Sequence, residues 1–179
     1  MKILAEMYRS GKINIQGKTI FRNAVRGVIL RGSDLLMIHS SVMGDYKFPR
    51  GGVQKGESHE QALAREIEEE SGALLDLLGE GLGAVIEYDI PMETEYDVFK
   101  MTSYYYLCQV GAGFGQQRLD DYEKDLGFHP AWVNVDEAIF INRSLLNIDN
   151  PPQWLKRELL VLEYIRLNFF GSTGIHLAV

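Results

Sequence analysis

The chain has 179 residues and a formal net charge of −7, a length that predicts one domain. With 46% hydrophobic and 24% charged residues, it is not expected to be disordered. The acidic balance argues against nucleic-acid binding, which requires a basic face. No apolar run reaches the roughly 18–20 residues that span a bilayer, and the single cysteine, Cys108, excludes an intramolecular disulfide. We therefore expect a reduced, cytoplasmic protein with no nucleic-acid partner and no membrane segment.

The first part of the chain predicts two hairpins and a helix. Alternating apolar residues on both sides of Ser10-Gly11 predict an N-terminal hairpin within residues 1–20. An edge of that hairpin could pair with a second copy, so a homodimer is one expectation. Residues 25–30 and 35–38 predict two strands joined by a turn-prone tetrad. The clearest helical pattern covers residues 58–71.

The second part predicts further strands and a last helix. Residues 82–90 and 98–110 are strand-like, and residues 132–135 form a short strand before Asp136, which we expect to cap the next helix. Two prolines open a C-terminal helix over 151–170, in which apolar residues recur every three or four positions. Strands interrupted by helices predict an α/β fold with a mixed sheet, and we expect residues 1–179 to form a single domain.

The acidic charge is concentrated on the predicted helix. Residues 57–72 contain six acids and one base, so this segment holds −5 of the net −7. At about 100° per residue, Glu66, Glu69 and Glu70 share one face of a single turn, beside an apolar stripe. A solvated acidic helix is the simpler interpretation, but like charges at this spacing destabilise a helix. Crowded carboxylates at the edge of a core predict a site for a hard divalent cation.

The segment before the helix completes a longer motif. Phe48-Pro49-Arg50-Gly51-Gly52 is a glycine-rich loop of the kind that approaches a phosphate or a metal closely. Together with the helix, the chain resembles the Nudix hydrolases over the 23-residue Nudix box, with one departure at Ala73, where a larger aliphatic residue is usual. The fixed positions of the box are all present: Gly51, Glu57, Arg65, Glu66, Glu69, Glu70 and Gly72. Seven such matches arise by chance with a probability of order 10⁻⁶ for a chain of this length.

The resemblance implies a fold and an activity. The fold would be the Nudix fold, an α/β/α sandwich with a mixed β-sheet. The activity would be Mg²⁺-dependent pyrophosphohydrolysis, with Mn²⁺ able to substitute, of a phosphoanhydride bond in a nucleoside diphosphate derivative. The candidate substrates are a dinucleoside polyphosphate, ADP-ribose or another nucleotide sugar, and a nucleoside triphosphate. The alternative is a non-catalytic Nudix-fold module that binds a nucleotide and regulates a partner.

The resemblance also assigns roles to residues of the box. The implied metal ligands are Glu66, Glu69, Glu70 and the main-chain carbonyl of Arg50. One of the glutamates is instead a candidate to take a proton from the attacking water. Arg65 would fix the helix glutamates, and Glu57 would support Arg65. Taken alone, Glu57 could also be a first-turn carboxylate favoured by the helix dipole.

Further assignments are open between two interpretations. The Arg50 side chain, with Gly51 and Gly52, is a candidate phosphate-binding group, or else Arg50 is a solvated loop cation. Glu123, in an acidic loop, is a candidate to complete the catalytic site, although charge in such a loop is usually just solvated. Tyr88 lies near a position used for substrate recognition in diadenosine polyphosphate hydrolases, and it could equally pack on the sheet.

Overall fold

The structure is a computed structural model that describes residues 1–11 and 13–171. Over these residues the chain forms eight strands and four helices. The strands are β1 (Ile3–Tyr8), β2 (Thr19–Arg31), β3 (Asp34–Ser40), β4 (Tyr46–Lys47), β5 (Arg50–Gly52), β6 (Ala73–Asp89), β7 (Val98–Phe114) and β8 (Phe128–Asn134). The helices are α1 (His59–Ser71), α2 (Asp121–Asp125), α3 (Val135–Leu145) and α4 (Leu155–Phe169).

Contacts within the chain divide the described residues into two compact units, each made of two separate pieces of sequence. The first unit comprises Met1–Ile29 and Pro49–Arg118, and it contains α1. The second comprises Leu30–Phe48 and the described residues from Leu119 onward. The single-domain organisation predicted from the sequence stays a prediction.

The first unit is built on a mixed sheet. β1 runs parallel to β6, β6 antiparallel to β7, β7 parallel to β2, and β2 antiparallel to β5. Val25 of β2 lies beside Tyr104 on one neighbouring strand and Gly51 on the other. The glycine-rich segment expected to be a loop is therefore a short strand over Arg50–Gly52. The α/β class with a mixed sheet is confirmed.

The predicted N-terminal hairpin is wrong. β1 is a single strand that pairs in parallel with β6, and residues 13–18 form a turn in which the Gly17 N–H donates to the Asn14 carbonyl at 2.9 Å. The reason is that β6 is much longer than predicted and offers β1 a partner distant in sequence. The Arg9 guanidinium, next after β1, also binds the Glu87 carboxylate of β6 at 2.7 Å. A homodimer stays a prediction.

Helix α1 begins and ends where its capping residues require. Ser58 and Gln61 form a reciprocal capping box at the N-terminus, and Gly72 closes the C-terminus in the left-handed conformation at φ 74°. On the buried face, Ile67 packs on β2 at Gly27, where an added Cβ would lie 3.0 Å from the Ile67 Cδ1. The helix is therefore held close to the sheet, and its acidic turn is fixed relative to β5.

The second unit contains an antiparallel sheet of β3, β4 and β8, with the last residues of β2 paired to β3. The apolar run 35–38 is fully buried, as are most apolar residues of α4.

The starts of two helices, α3 and α4, differ from the predicted ones. Asn134, not Asp136, caps α3 by accepting from the Asp136 N–H. The last helix begins at Leu155, because Pro152 forms a separate turn in which its carbonyl accepts from the Leu155 N–H.

No helix among residues 1–11 and 13–171 is long and apolar enough to cross a membrane.

Candidate active site

The last turns of α1 carry the acidic face predicted from the sequence. Glu70 is buried, with 1% of its surface exposed, and its carboxylate accepts a hydrogen bond from the Arg50 N–H at 2.8 Å. The bond joins the helix to β5 and offsets part of the desolvation penalty of the buried carboxylate. Glu66 and Glu69 are half-buried on the same turn. The geometry brings β5 and the three glutamates together.

Arg65 binds most of the polar groups around this turn. Its Nε and Nη2 donate to the two carboxylate oxygens of Glu57, each at 2.9 Å, and Nη2 also donates to the Gly52 carbonyl at 3.1 Å. Its Nη1 donates to both Glu66 and Glu69. The planar guanidinium is suited to such a fork of acceptors. Glu57 is in turn held by the Gln54 N–H at 2.9 Å.

Gly51 permits the close approach of β5 to the helix. A Cβ added at this position would lie 1.8 Å from the Glu66 carboxylate carbon, so the two atoms would overlap. Glycine is therefore required here because of space rather than because of its backbone angle. This contact explains in physical terms why the motif begins with a glycine.

Burial and the Arg65 network shift the protonation of the acidic turn. Burial raises the pKa of Glu66 to about 7, partly opposed by the hydrogen bond and charge of Arg65 and reinforced by Glu70 and Glu69. The hydrogen bond from Arg65 holds the pKa of Glu57 below its ordinary value. The same bond raises the pKa of Arg65, which stays protonated. Glu66 is therefore partly protonated near neutral pH.

The donor set suits a hard divalent cation in chemistry but is not arranged as a ready-made cage. Carboxylate oxygens are the ligands that Mg²⁺ prefers. Over the residues that the structure describes, however, no three His, Cys, Asp or Glu side chains converge on one point. Glu66 and Glu69 turn toward Arg65, whereas Glu70 turns toward the Arg50 N–H. A cation held by all three side chains would therefore require the carboxylates to converge more closely than they do here.

The remaining predicted residues lie in varied surroundings. Among the residues that the structure describes, none forms a hydrogen bond with the buried Nε atom of Arg50. Tyr88 stacks on Tyr8, with ring centroids 5.0 Å apart, and its role in substrate recognition stays a prediction. Glu123 belongs to the second unit, where it accepts from the Asp120 N–H at 3.1 Å within the capping box of α2.

A segment after β7, residues 115–118, fastens the end of α1 and escaped the sequence analysis. The Gln117 side-chain amide donates to the Glu70 carbonyl, and the Arg118 N–H donates to the Glu69 carbonyl at 2.8 Å. The Gly115 N–H donates to the Gly72 carbonyl at 2.6 Å. These bonds use main-chain carbonyls of the helix, so no pattern of side chains in the sequence could indicate them.

Known proteins resemble the chain in fold. A NUDIX hydrolase from Nitrosomonas europaea superposes with a TM-score of 0.56 at 20% identity, over 81% of this chain and 88% of the other. A MutT NUDIX hydrolase from Burkholderia pseudomallei has a TM-score of 0.53 at 23% identity, over 80% and 98%. The solution structure of the E. coli ORF135 protein also has a TM-score of 0.53, at 18% identity over 87% and 96%. The fold is therefore the Nudix fold.

Two curated relatives are more similar in sequence over shorter stretches, and both are named RNA pyrophosphohydrolase. The one from Sulfurovum sp. (strain NBC37-1) is 31% identical over 106 residues, 54% of this chain and 67% of the relative. The one from Erythrobacter litoralis (strain HTCC2594) is 35% identical over 60 residues, 32% of this chain and 37% of the relative. This chain thus matches only part of each.

The model of the NUDIX domain matches residues 21–155, three quarters of the chain. The chain belongs to the NUDIX family of hydrolases.

Proposed function

We propose that the protein hydrolyses a phosphoanhydride bond in a nucleoside diphosphate derivative with the help of Mg²⁺, which Mn²⁺ can replace. The observation that carries the proposal is the acidic turn of α1. Glu66, Glu69 and Glu70 lie there beside β5, and Arg65 and the Arg50 N–H hold them. Membership in a hydrolase family supports the same activity.

The proposed metal ligands are Glu66, Glu69, Glu70 and the main-chain carbonyl of Arg50. When bound, a divalent cation would neutralise the substrate phosphates and make water a better nucleophile at neutral pH. In the present structure, Arg65 supplies the positive charge next to Glu66 and Glu69. Arg65 then serves to orient these carboxylates, and Glu57 fixes the plane of its guanidinium through two parallel hydrogen bonds.

The reaction also releases a proton from the attacking water, and a group on the protein must accept it. Attack of water on phosphorus forms one P–O bond, breaks the bridging P–O bond and releases a proton. One glutamate of the acidic turn accepts that proton instead of binding the cation, and Glu66 and Glu69 are the candidates for this role. Glu123 remains a further candidate for this role. In each case the proton later returns to solvent.

We assign to Arg50 a phosphate contact distant from the cleaved bond. Its buried Nε lacks a partner within residues 1–11 and 13–171, and a substrate phosphate would provide one. We expect Arg50→Ala to raise KM about ten- to a hundredfold with little change in kcat. Arg50→Lys should recover part of the loss. Steady-state kinetics on a short-chain and a long-chain substrate measure both effects, and an unchanged KM on every substrate would identify Arg50 as a solvated cation.

The substrate candidates are a dinucleoside polyphosphate, ADP-ribose or another nucleotide sugar, and a nucleoside triphosphate. The triphosphorylated 5′ end of RNA is a fourth candidate, favoured by the names of the two curated relatives. Such an end presents the same phosphoanhydride chemistry, although the net charge of −7 opposes an extended contact with RNA. A cytoplasmic location and a homodimer remain predictions of the same proposal.

The test is a substrate panel incubated with Mg²⁺ or with EDTA, with products identified by mass. The panel contains the four substrate classes above. Glu70→Gln should abolish turnover while folding is retained, because the amide keeps the shape of the side chain and removes a ligand charge. Glu60→Gln is a matched control, since Glu60 is an exposed glutamate in the first turn of the same helix, and this variant should keep full activity.

A different class of function predicts another result. A non-catalytic module would bind a nucleotide tightly, turn over no member of the panel with either metal, and show no effect of Glu70→Gln beyond binding. That outcome would replace the proposed activity with regulation of a partner.

A further inference from the structure

An open groove lies at the C-terminal end of α1, next to the acidic turn and distinct from it. Its volume is about 600 Å³, within the range of small-molecule sites. The groove lies between the last turn of the helix, which contributes Glu68 and Gly72, and the end of β7 with the segment that follows it. All of its lining residues belong to the first unit.

The lining combines apolar surface with one pair of charges. Leu74 and Phe114 are large apolar side chains that are 60% and 47% exposed. Arg118 and Glu68 form an ion pair at 3.0 Å, and both side chains are more than one third exposed. A guanidinium next to a carboxylate offers hydrogen-bond donors beside acceptors, which suits a flat ring that has both kinds of group on one edge.

Two of the residues that the end of β7 contributes to the groove are glycines, which have no side chain to fill the space. Gly111 and Gly113 both line the groove, and a Cβ added at either position would lie more than 4 Å from every non-neighbouring atom of the described part of the chain. Neither glycine is in the left-handed region, so the backbone does not require glycine at these positions. The absence of side chains here therefore leaves room for a ligand without serving the fold.

The groove also lies within reach of the proposed reaction centre. Glu66 and Gly72 are separated by about 9 Å along the helix axis, given a rise of about 1.5 Å per residue. Around the axis, Gly72 is about 60° from Glu69, so the groove borders the acidic face on its Glu69 side. A nucleotide whose phosphate contacts the acidic turn could place its base at this distance.

We propose that this groove binds the heterocyclic base of the nucleotide substrate, stacked on Phe114 above the bare glycines and read at its edge by Arg118 and Glu68. The inference rests on the proposed function, because it assumes that the ligand is a nucleotide. It adds a specificity-determining site to the acidic turn. A ligand that has phosphates but no base would gain nothing from the groove.

The first experiment measures binding directly, with AMP as the probe and ribose 5-phosphate as the base-free probe. In NMR titrations of the metal-free protein, AMP should shift the amide signals of Gly111, Gly113 and Gly115, and ribose 5-phosphate should leave them in place. Gly113→Val should fill the groove and weaken AMP binding at least tenfold. Gly11→Val is the matched control, since Gly11 also faces open space with no positive φ.

The second experiment uses kinetics on a nucleotide that the wild type hydrolyses. Phe114→Ala should raise KM by roughly five- to a hundredfold, the usual effect of losing one base-stacking ring, and kcat at saturation should hardly change. The same variant should leave the KM for inorganic triphosphate unchanged. Far-UV circular dichroism and the melting temperature check that each variant folds.

The outcomes separate this inference from the proposed function. If nucleotides are hydrolysed but Gly113→Val and Phe114→Ala leave KM and AMP binding unchanged, the groove is not the base site and the proposed activity stands. The inference is also overturned if AMP does not bind, or if it shifts signals elsewhere. If nothing is hydrolysed but AMP binds in the groove and Gly113→Val abolishes this binding, the base site stands and the proposed catalytic function fails.

Discussion

The guanidinium of Arg65 holds the acidic turn together. It binds three carboxylates and one carbonyl, and so it compensates for repulsion between glutamates that share one face of a helix. The compensation is incomplete, because burial still raises the pKa of Glu66 to about 7. Single residues around this turn therefore control both its charge and its stability.

The raised pKa of Glu66 predicts how the stability of the metal-free protein depends on pH. A carboxyl whose folded pKa is raised contributes stability below its unfolded pKa, and this contribution is lost as pH rises through the folded pKa. The free energy of unfolding should therefore fall by roughly 2–4 kcal/mol between about pH 4.5 and pH 8 because of this group. Denaturant unfolding of wild type and Glu66→Gln in EDTA measures the difference. Parallel curves for the two proteins would contradict the prediction.

Gly51 offers a second test at the same scale. In Gly51→Ala the new methyl group would overlap the Glu66 carboxylate, so Glu66 must leave its present position. We expect a loss of at least tenfold in kcat/KM, with destabilisation of about 1–3 kcal/mol from overpacking. Gly11→Ala, at an open position, is the control for the added methyl group. Wild-type kinetics for Gly51→Ala would mean that the position of Glu66 does not matter for turnover.

Among the elements, α1 could be predicted from the sequence because its signals are local. The signals are the apolar spacing of the helix itself and the capping residues next to it, Ser58 and Gly72, which act independently of the rest of the fold.

The prediction of an N-terminal hairpin was wrong because β1 pairs with β6, about 80 positions away, and alternation of apolar residues does not identify a strand's partner. The roles of Glu57 and Arg65 came from the resemblance and stay predictions; the structure joins the two side chains by two hydrogen bonds. The contacts of Gln117 and Arg118 with main-chain carbonyls were inaccessible to sequence patterns.

At the end of α1, two causes of destabilisation can be separated: the strain of a left-handed backbone and the loss of the contact with residues 115–118. Gly72 has φ 74°, and an added Cβ would lie 2.3 Å from the Gly115 carbonyl oxygen. Gly44 has φ 77°, but a Cβ there would face open space. Gly44→Ala should cost about 1 kcal/mol for the backbone alone, and Gly72→Ala at least about 2 kcal/mol more, because it also breaks the contact with residues 115–118. Denaturant unfolding of both variants measures the difference, and equal losses would show that the contact is unimportant.

At the scale of the whole molecule, the distribution of charge links metal binding to stability. The segment that contains α1 holds most of the net negative charge, and a cation that binds only the folded chain stabilises it by mass action. Addition of Mg²⁺ to a hundred times its Kd should raise the free energy of unfolding by about 2.7 kcal/mol. Thermal melts with MgCl₂, against KCl at equal ionic strength, measure this effect.

The control variant for the Mg²⁺ melts is Glu66→Gln combined with Glu70→Gln. This protein should be at least as stable as the wild type without metal, since it removes two like charges, and it should lose the response to Mg²⁺. Glu60→Gln should keep the full response. If the double variant responds to Mg²⁺ as the wild type does, the cation stabilises the protein from another site.

The hydrogen bond between the Arg50 N–H and Glu70 determines which residues position 50 can tolerate. The donor is the peptide group, so a change of side chain at position 50 leaves it in place. On the proposal that the Arg50 side chain contacts a substrate phosphate, this side chain can therefore be exchanged without disturbing the carboxylate that the main chain holds. Proline is the exception, because it has no N–H to donate. Libraries that vary position 50 while excluding proline should therefore yield altered substrate preference at little risk to folding.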